Sequence, residues 1–293
     1  MTPVLRQDRL IALMPVFFVL VWSTGFIVAR YGMPHSPPMK FLVLRYCASA
    51  LCFAAWAFAA GAPRPTSRAQ IGHLAVTGIL MHAGYLGGVW TAVSLGLGAG
   101  VASLLVGLQP VLTAVWVSRI GGQVTARQWA GLALGLGGVT LVVWQKLGLG
   151  EVHVANFALC MVALLCITIG TLYQKRFVAP CDVRTASVVQ FIAAFTITLP
   201  LALLETQAMD WNGQLIGAFA WSVLGLSLGG SSLLYMLIHR GAATSVTSLL
   251  YMVPPCTAIM AWFLFGESMT AFTIVGMALA ALGVSLVVRA GSH

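Results

Sequence analysis

The residues of this chain that can do chemistry are few, and they lie inside long apolar runs. His82 is the one histidine near the middle of such a run, with Tyr85 close behind it. On a 3.6-residue wheel the two share a face with Gly78, while Gly84, Gly87 and Gly88 occupy the opposite face. A glycine face lets a neighbouring backbone approach. The His/Tyr face then looks into the bundle, either as a histidine packed against a carbonyl or as part of a cavity wall. Gln109, Thr113 and Trp116 line one face beside Pro110, and Pro254-Pro255 take an equivalent place with Ser248 and Tyr251 a turn earlier. Prolines at that depth free carbonyls that bind ligand or permit bending, and they also serve simply as kinks. Trp22, Thr168, Thr171, Ser231 and Tyr235 complete the set. Arg45 lies about two turns inside its run and needs a partner or must reach outward. Trp22, His82, Tyr85, Gln109, Thr168, Ser231, Tyr235 and Tyr251 are therefore candidate substrate contacts. Arg45, Pro110, Pro254 and Pro255 are candidates for gating and hinge bending. All of this is recognition chemistry.

Bond-making chemistry finds little support. The six acids, Asp8, Glu151, Asp182, Glu205, Asp210 and Glu267, all fall at or beyond the ends of apolar runs. Gly225-Leu-Ser-Leu-Gly229 matches G-x-S-x-G, but it lies within an apolar run with no acid at its depth, whereas a nucleophile elbow needs a strand-to-helix turn and a His/Asp pair. It reads better as small-residue packing. P-loop, HExxH and GxGxxG patterns are absent. The six cysteines form no CxxC and no Cys/His set at zinc spacing, so neither metal nor cofactor is implied.

The elements that must position these residues follow from composition. Of 293 residues, 60% are hydrophobic and 7% charged, with a mean hydropathy of +0.97. A soluble domain carries about 25% charged residues, so most of this surface must face hydrocarbon. The net charge of +9 comes from fifteen Lys and Arg placed singly or in pairs beside apolar runs, with no basic stripe for nucleic acid. The runs, near 10–30, 38–60, 71–95, 99–119, 127–146, 154–175, 184–205, 213–237, 243–264 and 270–289, predict ten transmembrane helices. Lipid satisfies no free backbone group, and none of the runs alternates as a membrane strand would. With a cytoplasmic N-terminus, eleven basic residues (Arg6, Arg9, Arg64, Arg68, Arg119, Arg127, Lys175, Arg176, Arg184, Arg240 and Arg289) face the cytoplasm. Arg30, Lys40 and Lys146 face outward. That bias places both termini in the cytoplasm.

The chain also repeats itself. Ala99-Gly-Val-Ala-Ser-Leu-Leu-Val-Gly-Leu-Gln-Pro110 aligns with Ala243-Thr-Ser-Val-Thr-Ser-Leu-Leu-Tyr-Met-Val-Pro254. Gly131-Leu-Ala-Leu-Gly-Leu-Gly-Gly-Val139 aligns with Gly276-Met-Ala-Leu-Ala-Ala-Leu-Gly-Val284. The offset of 144–145 residues spans five helices, so the second copy enters the membrane from the opposite face. The expected units are residues 1–147 and 148–293. Such an inverted repeat is the arrangement of secondary transporters.

These residues resemble the drug/metabolite transporter superfamily, in particular its EamA-type members. The resemblance is carried by Trp22-Ser-Thr-Gly-Phe26, Leu108-Gln-Pro-Val-Leu112, Val253-Pro-Pro-Cys-Thr257, Phe265-Gly-Glu-Ser268 and the glycine-bearing fifth and tenth helices. It covers nearly the whole chain. The first half departs from it by carrying Gly121-Gly-Gln123 where the second has Phe265-Gly-Glu267. Within the superfamily the chain looks most like the YddG-like amino-acid exporters. The resemblance implies a multi-pass protein of a bacterial-type inner membrane that exports neutral or aromatic amino acids, or related small metabolites, by alternating access. Its partners are a small-molecule substrate and the bilayer, with no obligatory protein partner. The absence of a carboxylate at membrane depth implies facilitated diffusion. Two alternatives stay open: efflux of a drug or another metabolite by the same fold, and a membrane-embedded enzyme or lipid-handling protein.

The charge bias is directly testable. Single cysteines at Ser67 and Gly213 are expected to react with membrane-impermeant maleimide from opposite sides of the membrane. Labelling of both from one side would overturn the topology.

Overall fold

The computed structural model describes residues 3–65, 67–119, 125–233 and 252–289. Among these residues there is no strand. The helices are α1 (Pro3–Gly32), α2 (Pro38–Ala59), α3 (Arg68–Ser94), α4 (Ala99–Trp116), α5 (Ala126–Gly148), α6 (Val154–Phe177), α7 (Val183–Leu204), α8 (Gly213–Leu233), α9 (Val253–Phe265) and α10 (Ala271–Arg289). The first eight are long and apolar enough to cross a membrane, and α9 and α10 are shorter apolar helices. Large apolar side chains point outward at every level, Phe58, Phe263, Leu203 and Trp144 among them. Outward apolar surface on this scale suits a hydrocarbon solvent. The chain is an all-helical, multi-pass membrane protein.

Local chemistry sets the helix ends. Ser67 Oγ accepts from the Gln70 amide to open α3, Thr125 and Gln128 form a reciprocal cap on α5, and Asn212 accepts from the Leu215 amide to open α8. Asp182 caps α7, and the Arg184 guanidinium hydrogen-bonded to it holds its carboxyl below the usual range. Gly96, at φ +92°, makes the tight turn between α3 and α4.

Glycines decide which helices touch. A methyl at Gly138 would meet the backbone of Gly276 and Ala280, and one at Gly283 would meet the backbone of Gly131 and Gly135. By the 145-residue offset, Gly276 corresponds to Gly131 and Gly283 to Gly138. Each member of the pair thus meets the other's counterpart, the signature of a self-complementary twofold contact. On α2 and α7 the same offset relates Tyr46 to Phe191, and their rings stack with centroids 6.1 Å apart.

The charged groups gather at helix ends and tie loops together. Glu205 accepts from the amides of Met39 (3.0 Å) and Lys40 (2.8 Å) at the start of α2. Glu267 accepts from the amides of Ala99 (2.8 Å) and Gly100 (3.3 Å) at the start of α4. Both place a negative charge at a helix N-terminus. Lys146 differs from the solvated edge charge its sequence position suggests. It is 2% exposed and pairs with Glu151 at 2.8 Å while donating to Ser268 Oγ at 2.6 Å. A buried ammonium requires this many partners. The turn matching Phe265-Gly-Glu267 in the first half, Gly121-Gly-Gln123, lies outside the described residues, as does the connection from α8 to α9.

The glycine contacts generate a paired expectation. Gly283→Ala should lower the thermal midpoint of the purified protein, because overpacking of this kind costs about 1–3 kcal/mol. Gly137→Ala meets nothing within 4 Å and should raise the midpoint through helix propensity, by up to about 1 kcal/mol. Equal midpoints for the two variants would show that the α5–α10 approach is not tight.

Candidate functional site

The site starts at an irregularity in α3. Residues Ile79–Gly84 form a π-helical turn, which holds more residues per turn than an α-helix and often marks functional positions. The faces above and below it therefore do not align on a 3.6-residue wheel. The three glycines expected on one face, Gly84, Gly87 and Gly88, are divided between two neighbours, while Gly78, expected on the His82 face, meets a third. Gly84 and Gly88 pack on Cys166 and on Leu159 and Ala163 of α6, Gly87 on Met39 of α2, and Gly78 on the Gln190 backbone of α7.

His82 sits in this turn, half-buried. Its ring stacks on Phe191 of α7 with centroids 4.4 Å apart and 23° between planes, and the Gln190 side chain is within hydrogen-bonding reach. The Tyr46 hydroxyl of α2 donates to the His82 carbonyl at 2.8 Å. That bond supplies a partner at a point where the regular ladder is interrupted. Tyr85, also half-buried, lies in electrostatic reach of Arg45. Arg45 itself is 6% exposed, with its guanidinium carbon 5.8 Å from the centroid of the Trp90 ring.

The second half carries a matching device. Residues Trp221–Gly230 of α8 are also π-helical. Shifting Ile79–Gly84 by 145 places it at 224–229, inside that segment, and makes Ser227 the counterpart of His82. Ser227 Oγ donates to the Ser222 carbonyl five residues back at 3.1 Å, and Ser49 Oγ of α2 donates to Ser227 Oγ at 3.0 Å. Tyr46 and Ser49 are one turn apart, so one face of α2 braces both π segments.

The remaining candidates are distributed around this centre. Trp22 packs against Phe18 with ring centroids 5.2 Å apart and borders Gly230 at the end of the α8 π segment. Ser231 follows that segment, half-buried. Gln109 Nε2 donates to Thr171 Oγ1 at 2.9 Å, one position from Gly170, where Met81 and Leu80 of the α3 π turn pack. Thr168 is buried and its hydroxyl donates back to the Leu164 carbonyl at 2.7 Å, so it is satisfied within its own helix. Trp116 is 54% exposed and faces outward. Pro110 is the second residue of the helical piece that resumes at Gln109, after a break at Gly107 and Leu108, while Pro254 and Pro255 stand in the first described turn of α9. Pro254 packs against Gly107. Tyr235 and Tyr251 lie outside the described residues. The structure brings His82, Tyr85 and Arg45 together and adds Tyr46, Trp90, Gln190 and Phe191. The repeat offset points to three of these four, because it pairs Tyr46 with Phe191 and Arg45 with Gln190. Among the described residues no cluster of His, Cys, Asp or Glu is suited to a metal ion.

Known proteins match this chain along most of its length. The model of the EamA-like transporter family matches twice, at residues 9–144 and 156–289. A probable amino-acid metabolite efflux pump of Salmonella typhimurium is 26% identical, over 95% of this chain and 93% of that one. The uncharacterized inner membrane transporter YedA of Escherichia coli K12 is 22% identical over 97% and 92%, and an uncharacterized transporter of Archaeoglobus fulgidus 24% over 92% and 93%. A solved crystal structure superposes with a TM-score of 0.67, covering 96% of this chain and 98% of the other at 15% identity; at that identity the likeness concerns the fold.

The bracing by α2 has a measurable consequence. Tyr46→Phe and Ser49→Ala each remove one buried hydrogen bond, and each should cost about 1 kcal/mol in unfolding of the purified protein. No change in either would mean that the π segments do not depend on α2.

Proposed function

Since this chain belongs to the EamA-like transporter family and is therefore a membrane transporter, we propose that it exports neutral or aromatic amino acids, or closely related metabolites, by alternating access. The observation that carries this reading is the group at the α3 π turn. There His82, Tyr85, Phe191 and Gln190 offer ring faces and neutral hydrogen-bonding groups at a level to which both halves contribute. An apolar side chain stacks on such rings, and neutral amides and helix-break carbonyls suit a zwitterion. Similarity to the probable amino-acid metabolite efflux pump of Salmonella supports the same substrate class. The proposed units are residues 1–147 and 148–293, each with five spans, and both termini face the cytoplasm. Trp22, Gln109, Ser231, Tyr235 and Tyr251 extend the proposed substrate path. Thr168 belongs to its wall, and Pro110, Pro254 and Pro255 are the hinges. Every acid of the chain lies at or beyond a span end, so the proposed transport is passive and bidirectional.

Proteoliposomes holding only this protein test the proposal. Labelled phenylalanine should equilibrate down its own gradient, and an imposed pH or sodium gradient should not raise it above the equilibrated level. Tyr85→Ala and His82→Ala should each raise the half-saturation concentration roughly five-fold, since one lost ring contact is worth on the order of 1 kcal/mol. Unchanged half-saturation in both would move the site elsewhere, and gradient-driven accumulation would overturn the passive mechanism.

A further inference from the structure

Among the described residues Arg45 is a buried cation without an anionic partner. Its side chain is 6% exposed and its Nε has no hydrogen-bond partner. Among the described residues it forms no ion pair. The sequence contains six side-chain carboxylates, and four of them are engaged elsewhere. Glu151 holds Lys146, Asp182 holds Arg184, Glu205 caps α2 and Glu267 caps α4. Asp210 is 70% exposed beside His35. Asp8 belongs to the first turns of α1, some 24 residues from the end of that helix that adjoins α2. Arg45 is seven residues into α2 from that same end, about 10 Å along the axis. Among the described residues, therefore, no carboxylate serves it as a counter-ion. The Trp90 ring offers a cation–π contact at 5.8 Å but no acceptor for Nε. An uncompensated charge at this depth is costly, and polar groups so placed commonly mark a substrate path.

We propose that Arg45 is the seat for the substrate's carboxylate, taking it by the paired N–H donors of its guanidinium. The inference rests on the substrate class proposed above and specifies it: the cargo carries a carboxylate next to an apolar body. Arginine is the side chain whose planar fork matches a carboxylate. Tyr85 and His82 are both within electrostatic reach of the guanidinium, and the His82 ring stacks on Phe191. The repeat makes the arrangement one-sided, because the position equivalent to Arg45 in the second half is the neutral Gln190. A single negative charge then has one place to go, and the substrate is held in one orientation. A buried arginine also disfavours a cationic drug in the same place.

The test compares three probes of one shape class (phenylalanine, phenylalaninamide and phenylacetate) by the shift each produces in the thermal midpoint of the purified protein, with exchange in proteoliposomes as a second readout. The unaltered protein should bind phenylalanine and phenylacetate on the order of ten-fold or more tighter than the amide, as expected for loss of a charge-assisted hydrogen bond. Arg45→Gln should abolish that preference, and Arg45→Lys should keep part of it. A merely structural arginine would lower the ligand-free midpoint of Arg45→Gln and leave the acid-to-amide ratio unchanged, which overturns the proposal. Where Arg45→Gln does not fold, the ratio in the unaltered protein and in Arg45→Lys decides. Equal binding of acid and amide by the unaltered protein refutes the seat while leaving amino-acid transport standing. Binding of phenylacetate without phenylalanine keeps the seat and removes amino acids as the cargo. Failure of both carboxylates to bind refutes the seat.

Discussion

Hydrocarbon offers a free amide or carbonyl no partner, and every feature of this protein is arranged around that constraint. It makes each apolar run a helix. It also governs where a helix can depart from regularity. The two π segments, in α3 and α8, and the break in α4 all lie within the bundle, where neighbouring side chains can replace bonds the ladder loses. Tyr46 does so for the His82 carbonyl and Ser49 reaches Ser227. α2 thus braces both π segments from one face.

The same solvent removes the hydrophobic effect as a force between helices, leaving close packing to hold them. That is why glycine carries so much of the architecture. The contact of Gly138 with Gly276, and of Gly131 with Gly283, brings α5 and α10 into backbone contact across the twofold relation between halves. Two copies of one sequence pattern meet through the same surface. Charge obeys the constraint from the other side. Carboxylates are driven to the helix ends, where they cap α2 and α4 or pair with Lys146, and in doing so they tie the loops of one half to the helices of the other. Arg45 is the exception to this sorting: it is buried within α2 and, among the described residues, forms no ion pair.

The sequence by itself determined the helical class, the positions of the spans and the inverted repeat, because hydropathy, charge placement and a 144–145-residue offset are properties of the chain that survive any packing arrangement. It also singled out His82 and Tyr85, since a polar ring inside an apolar run is costly against lipid and must turn toward protein or a cavity. Tertiary structure decided what could not be read along the chain. The π turn at Ile79–Gly84 broke the 3.6-residue wheel, and Gly84 and Gly87, expected on one face, meet different neighbours, because helix period is set by packing as well as by propensity. It satisfied Thr168 within its own helix, turned Trp116 outward and buried Lys146 in an ion pair, none of which residue type reveals. Phe191 and Gln190 joined His82 although they lie more than a hundred residues away, because α7 crosses α3 at Gly78, where the absence of a side chain lets the two backbones touch.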